Sequence, residues 1–371
     1  MSAPMMTSVD DLNFLFISRQ ISEIFTSYRD SFALIGLVYA TRKTQSVVCS
    51  LLDAVRTHIW SKYGRLDLVK KYGKWAVVTG CSEGIGKAFA QELASHGINL
   101  VMLNKAANGD LIKTANEIAS RFGVSVHPVI VDFNSGPEIY KMIEKELEGK
   151  DIGILVNNVG VMYSYPQYFL DVPEERLWQL INVNVAAATM MTHLVLPQME
   201  KKKRGAIINL SSGSCHKPTP QMTVYTATKV YLDHFSRALH YEYKDKGITV
   251  QCLMPFYVAT RMTSYSKSLS NPSLLIPSAS AYARNALRTL GYSTRTSGYW
   301  PHTIQSWIAN LVPEPLWMWA ASRLNTALRR QAQQRVRHRS GRRSHQSMTS
   351  SSSASSLSES PSNPNLNVPS S

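Results

Sequence analysis

The chain has 371 residues, 44% of them apolar, enough for one large hydrophobic core or two modest ones. Its four cysteines, Cys49, Cys81, Cys215 and Cys252, show no CxxC spacing, which argues against a disulfide framework or a zinc site and for free thiols in a reducing compartment. The formal net charge is +15, but Arg329, Arg330, Arg335, Arg337, Arg339, Arg342 and Arg343 supply nearly half of it, with no acidic residue between Asn325 and Ser358. A basic tail of this kind is expected to touch anionic lipid or nothing, and not a specific nucleic-acid site.

In chain order, residues 1–70 read as a helical extension. Asp10 and Asp11 interrupt the start, so no cleavable signal peptide is expected. "FALIGLVYA" (Phe32–Ala40) and "SVVCSLLDAV" (Ser46–Val55) are apolar, but neither reaches the ~20 residues that span a bilayer. Either they lie on a membrane surface as amphipathic segments or they cover the main domain.

From Lys74 onward, strand-like and helix-like runs alternate. Strands are expected at "WAVVT" (Trp75), "INLVML" (Ile98), "VHPVIVDF" (Val126), "IGILVNN" (Ile152), "GAIINLSS" (Gly205) and "ITVQCLMP" (Ile248). Helices are expected from Gly84 to Gly97, Leu111 to Gly123, Glu138 to Lys150, Glu174 to Lys203 as one long element, and Val224 to Lys246. Apolar strands alternating with helices predict an α/β fold: a doubly wound parallel sheet of Rossmann type, one domain over 71–300. Beyond Phe256, the Ser-rich stretch Tyr257–Pro277 reads as a loop and Ala281–Leu290 as a helix. Residues 301–330 carry Trp307, Trp317 and Trp319 around two prolines, suited to a membrane interface or to a lid over a hydrophobic substrate. Residues 331–371 are rich in Arg, Ser, Asn and Pro and are expected to be disordered.

Gly80, Gly84 and Gly86 follow the first strand and open the first helix in "TGCSEGIG", with Ser82, Glu83 and Ile85 completing the turn. A tight turn and close approach to a pyrophosphate both exclude a Cβ, and the helix N-terminus attracts phosphate. The second strand ends "LNKAA" with no acid to bind a ribose 2′-hydroxyl, and Lys105 can pair with a 2′-phosphate, which favours NADP(H). Asp132, after the third strand, either accepts from the adenine amino group or caps its own loop.

Tyr225 and Lys229 are four apart and share a helix face. An ammonium beside a phenol favours the phenolate, so Tyr225 can exchange a proton with a substrate oxygen, while Ser212 at the end of the preceding strand orients that oxygen. Taken alone, such a pair is more often structural.

"TGCSEGIG", "NNVG" (Asn157–Gly160), Asn184, Ser212 and "YTATK" occur in the order and separations of the short-chain dehydrogenases/reductases, which the chain resembles from about Lys71 to Pro301. "KYGKWAVVTG", "SSGSCHKPTPQ" and "YLDHFSRAL" are similar to the hydroxysteroid dehydrogenase-like branch, more distantly to membrane-linked 17β-hydroxysteroid dehydrogenases and very-long-chain 3-oxoacyl-CoA reductases. The resemblance implies a tetrad in which Ser212 orients the substrate oxygen and Tyr225 is the acid/base. Lys229 binds ribose and lowers the tyrosine pKa, and Asn184 anchors a water that relays protons to Lys229. It implies that "NNVG" (Asn157–Gly160) stabilises the sheet beside the cofactor and that Asn158 and Val258 lie among the cofactor contacts. A hydrophobic ketone or alcohol (a steroid or a 3-oxoacyl lipid) is the implied substrate, a membrane surface a partner and a homodimer the candidate assembly. The implied location is the mitochondrion, with the endoplasmic reticulum membrane as the alternative. Some members of this branch carry Phe where the tyrosine belongs and are considered inactive, so a cofactor-binding scaffold is the alternative function. Three positions depart from the family pattern: Phe256 stands for Gly, Val159 for Ala, and Asn104-Lys105 for Ser-Arg.

Overall fold

The computed structural model describes residues 9–64, 67–105, 110–263, 269 and 271–355. They form two compact units, dividing after Trp60. The first unit is a pair of helices, α1 (Val9–Ser27) and α2 (Arg29–His58). Large apolar side chains such as Phe14, Phe16, Ile24, Leu34, Ile35 and Tyr39 are exposed along both. Phe25 and Phe32 stack across the break at Tyr28, with ring centroids 5.5 Å apart.

The second unit opens on a short helix, α3 (Leu68–Tyr72), capped by the Asp67 carboxylate, which accepts from Lys70 N at 3.0 Å. The chain then alternates β1 (Trp75–Thr79), α4 (Gly84–Ser95), β2 (Asn99–Asn104), α5 (Asp110–Phe122), β3 (Val126–Ile130), α6 (Ile139–Leu147) and β4 (Ile152–Asn157). The second half runs α7 (Glu174–Ile181), α8 (Ala187–Lys202), β5 (Gly205–Leu210), α9 (Thr223–Tyr243), β6 (Ile248–Leu253), α10 (Ala279–Arg288), β7 (Arg295–Thr296), α11 (Trp300–Leu311) and α12 (Glu314–Ser355). Seven strands form one sheet in the order β3-β2-β1-β4-β5-β6-β7, every pairing parallel.

Strand side chains alternate between two apolar layers, as the two-residue period of a strand requires. Val78, Leu100, Ile154 and Ile208 face the layer built by α4, α5 and α10, while Val77, Val101, Leu155 and Ile207 face that of α6, α8 and α9. Both faces are covered, which explains why the strands read as unbroken apolar runs. The chain reverses direction across the sheet between β1 and β4, and the crevice at their carboxyl ends is where a ligand binds in such sheets.

Two sequence expectations change. Glu174–Lys203 is not one uniform helix: a π turn, Asn182–Ala186, separates α7 from α8. By length and composition the stretch Glu174–Lys202 could cross a membrane, but half of its most apolar window is buried in this fold. Second, α12 runs past Gln331 to Ser355, into the stretch whose composition predicts disorder. From Leu324 to Ser340 there is no Gly or Pro, and Ala, Arg, Gln and Leu are strong helix formers. The end of that tail, residues 356–371, and part of the loop expected at Tyr257–Pro277 lie outside the described residues.

Candidate active site

The turn after β1 is shaped by close approach. Gly80 has φ +66°, and a Cβ there would stand 2.9 Å from Val159 Cα; a Cβ on Gly86 would stand 2.1 Å from the Gly80 carbonyl oxygen. Gly84, at φ +58°, begins α4. Glu83 in the N-cap position makes no side-chain cap to the first N–H groups of α4, the kind of helix start that can bind an anion. Glu83 instead pairs with Arg261 at 3.3 Å. The Ser82 hydroxyl accepts from the Asn104 amide, and Ile85 packs against the core.

Asn158 supports the turn from β4. Its Nδ2 donates to the Thr79 and Gly80 carbonyls, each at 2.9 Å. The Thr79 hydroxyl accepts from Asn158 N and Val159 N at 3.0 Å, stitching the ends of β1 and β4 together. Sequence reasoning missed Thr79, although a threonine just before the glycine turn was its signal. Val258 is buried in the loop after β6, and the neighbouring Thr260 methyl stands 3.4 Å from where a Gly84 Cβ would be. Lys105 is exposed directly after β2. Asp132 is exposed too, and its Oδ1 accepts from Asn134 N at 2.9 Å, so it caps its own loop.

Ser212, Tyr225 and Lys229 converge beyond the carboxyl end of β5. The Ser212 hydroxyl accepts from Ser214 N at 3.2 Å and stands near enough to Tyr225 to oppose the upward push of burial on its phenol. Tyr225 and Lys229, three and seven residues into α9, are both buried. The Lys229 Nζ donates to the Leu210 carbonyl at 2.9 Å and stands 5.8 Å from the centre of the Tyr225 ring.

Burial pushes the Tyr225 phenol up to about 12, with Ser212 opposing it. Burial pushes the Lys229 ammonium down to about 8. Desolvation disfavours the charged form of each group, and the ammonium is aimed at a backbone carbonyl rather than at the phenol.

Asn184 sits in the π turn, a kind of irregularity often found at functional sites. Its Oδ1 accepts from Val161 N at 2.8 Å, and its Nδ2 donates to the Val161 carbonyl at 2.9 Å and to the Thr228 hydroxyl at 3.1 Å. The side chain therefore fastens the loop after β4 to α9, one residue before Lys229. Gly160 lies between the two polar ends: a Cβ there would stand 3.4 Å from Lys229 Nζ and 3.5 Å from Asn184 Oδ1. A second buried chain, missed in the sequence, runs from Asn157 Nδ2 to Asn209 Oδ1 at 2.8 Å and from Asn209 Nδ2 to Ser236 Oγ at 2.9 Å, fixing α9 to β5 and β4.

Phe256 turns its ring onto Gly213, where a Cβ would stand 2.9 Å from the ring. It stacks on His216 at 6.1 Å and meets His302 edge-on at 5.9 Å. Phe256 N donates to His302 Nδ1 at 3.3 Å, and burial pushes the His302 imidazole down to about 4. Phe256 thus packs against the loop that follows Ser212.

The short chain dehydrogenase family model matches residues 74–270. "Inactive hydroxysteroid dehydrogenase-like protein 1" of Homo sapiens is 50% identical over 328 residues, covering 88% of this chain and 98% of that protein. "Very-long-chain 3-oxoacyl-CoA reductase" of Anas platyrhynchos is 42% identical over 282 residues, covering 75% and 87%. Among solved structures, a short-chain dehydrogenase from Sphingobium yanoikuyae in complex with NADPH superposes with a TM-score of 0.53 at 28% identity, covering 57% of this chain and 82% of that one. A matched glycine turn, sheet order and reaction-site helix, over a match of this extent, mean that the chain belongs to the short-chain dehydrogenase family.

Proposed function

We propose that the chain is an NADP(H)-dependent oxidoreductase that interconverts a hydrophobic ketone and its alcohol, with Tyr225 as general acid/base. The observation that carries this reading is that Tyr225 and Lys229 lie buried on one face of α9, with Lys229 Nζ 5.8 Å from the Tyr225 ring centre, and that Ser212 stands just beyond the end of β5 beside them. The glycine turn fits a dinucleotide: a Cβ at Gly80 or Gly86 would fill the turn, and α4 leaves its first N–H groups uncapped. When bound, the nicotinamide supplies or accepts the hydride. NADPH in the Sphingobium structure and the exposed Lys105 after β2 support the phosphorylated form.

A phenol held up to about 12 keeps its proton at neutral pH. Tyr225 therefore rests as a proton donor, the form that ketone reduction uses. Ser212, just beyond β5, is placed to orient the accepting oxygen. The name of the 3-oxoacyl-CoA reductase relative supports a long-chain carbonyl substrate, and a similar 7beta-hydroxysteroid dehydrogenase structure (TM-score 0.62, 25% identity) supports a steroid. The exposed apolar residues of α1 and α2 and the arginines from Arg329 onward support binding to an anionic membrane surface, with a mitochondrial location as the expectation.

Tyr225→Phe tests the reaction. It removes the hydroxyl and keeps the packed ring, so turnover of a ketone should fall by ~10²–10⁴-fold while NADPH binding stays nearly unchanged. Equal activity in both proteins would refute the role. The second reading is a cofactor-binding scaffold without turnover, favoured by the relatives named inactive and by Phe256 in the family's glycine position. A panel of steroids, retinals and acyl ketones with purified protein separates the two.

A further inference from the structure

The ten residues between Ser212 and Tyr225's helix are tied down by a part of the chain beyond residue 270, where the family match ends. His216 Nε2 and the Ser306 hydroxyl of α11 are 2.9 Å apart. The Pro220 carbonyl accepts from Asn325 Nδ2 of α12 at 2.8 Å, and Gln221 Nε2 donates to the Thr326 hydroxyl at 2.9 Å. One helical turn later, Arg329 bonds to Asp171 at 2.6 Å and lies over the Tyr168 ring at 4.5 Å. The Gln167 N–H in turn donates to the Gln221 carbonyl at 3.0 Å.

Gln221 is the centre of this knot. It is buried, and its φ of +66° is a conformation that L side chains avoid, so surrounding contacts must hold it there. Its carboxamide oxygen has no partner among the described residues, which leaves Thr326 as the polar tie of that side chain. Four residues later comes Tyr225. The N-cap of α9, Met222, offers no capping side chain; the first turn is held instead by the Tyr163 hydroxyl, which accepts from Val224 N at 3.1 Å, and by the turn at Gln221 that leads into it.

We propose that Asn325 and Thr326 are positioning residues: by holding the Pro220-Gln221 turn against α12 they set the Tyr225 hydroxyl against Ser212. The proposal rests on the reading of Tyr225 as proton donor, but its geometry can be read without activity. Cys215 lies half-buried in the tied loop, while Cys81 and Cys252 are buried and Cys49 is exposed.

The test uses the full chain with Cys49→Ser. Thr326→Val keeps the shape and loses the acceptor; Thr326→Ser keeps the acceptor. Labelling of Cys215 by N-ethylmaleimide should speed up about 5-fold in Thr326→Val and about 10-fold or more when Asn325→Ala is added, since each lost tie raises the open population of the loop. Thr326→Ser should label like the parent. NADPH affinity should stay within about twofold, because the glycine turn is untouched, while kcat falls at unchanged cofactor KM. Unchanged labelling in a folded Thr326→Val protein overturns the proposal. So does faster labelling with full kcat, since the loop would then not be placing Tyr225. Faster labelling in a family of variants whose parent reduces nothing keeps the tie and rejects the oxidoreductase reading instead. Should the double variant not fold, the Val and Ser pair at 326 still decides.

Discussion

Replacing Lys229 by Met should change how stability depends on pH. Burial pushes the Lys229 ammonium from 10.5 down to about 8 in the folded chain, and unfolding returns it to about 10.4. Between those values the unfolded chain holds a proton that the folded chain has released. Stability therefore rises with pH across this window. The cost of burying the charge is fully present below pH 8 and disappears as pH climbs towards the unfolded value. From pH 7 to pH 9.5 the gain works out at about 2 kcal/mol. Urea unfolding of wild type and Lys229→Met at both pH values measures it. Cysteines and other tyrosines titrate in both proteins and cancel in the difference. The wild-type advantage over the variant should grow by about 2 kcal/mol between the two pH values. Parallel behaviour would refute the reasoning, since it would mean that the amine is solvated rather than enclosed beneath Leu210 and Tyr225.

Lys105→Asp should reverse a preference for NADPH over NADH, measured by titrating both cofactors; an unchanged ratio would remove Lys105 from the 2′-phosphate. Phe256→Gly should lower stability by about 2 kcal/mol, as a half-buried ring loses its packing on Gly213 and His216, and leave NADPH affinity within twofold. Much tighter NADPH binding would instead place the ring in the cofactor's way. Deleting residues 1–60 should release the protein from anionic vesicles in a flotation assay, because α1 and α2 carry the exposed apolar side chains. Full retention would assign membrane binding to the second unit.

The sheet was legible because its strands are buried on both faces, so "WAVVT" and "GAIINL" stand out as apolar runs between amphipathic helices. The glycine turn was legible because Gly80 and Gly86 meet a steric demand that no other residue satisfies. β7 was not, since two residues paired to β6 carry no periodicity. The π turn was hidden because Asn182–Ala186 contains no Gly or Pro to interrupt the helical pattern. Thr79, Thr228 and Asn209 look like ordinary small polar residues until the fold brings each to its partner. The ties of Asn325 and Thr326 join residues 105 apart, a separation at which local sequence carries no signal.

The electrostatics of the Tyr-Lys pair depend on more than its spacing. Spacing four residues apart on a helix shows that two groups share a face, but the sign of their effect depends on burial. Here burial drives both towards their neutral forms, to about 12 for the phenol and about 8 for the amine. Ionising Tyr225 at pH 7 would cost about 7 kcal/mol, five units at roughly 1.4 kcal/mol each. A site arranged this way does not store a phenolate. It holds a protonated phenol beside Ser212. Reduction draws on the resting state directly, whereas alcohol oxidation must first overcome the desolvation of the phenolate. On the proposed role of Tyr225 as acid/base, neutral pH should favour the reductive direction, and raising the pH towards the Tyr225 value should shift the balance towards oxidation. Initial rates in both directions on one ketone-alcohol pair, from pH 6 to pH 10, measure this; an oxidative rate that already dominates at pH 7 would contradict it.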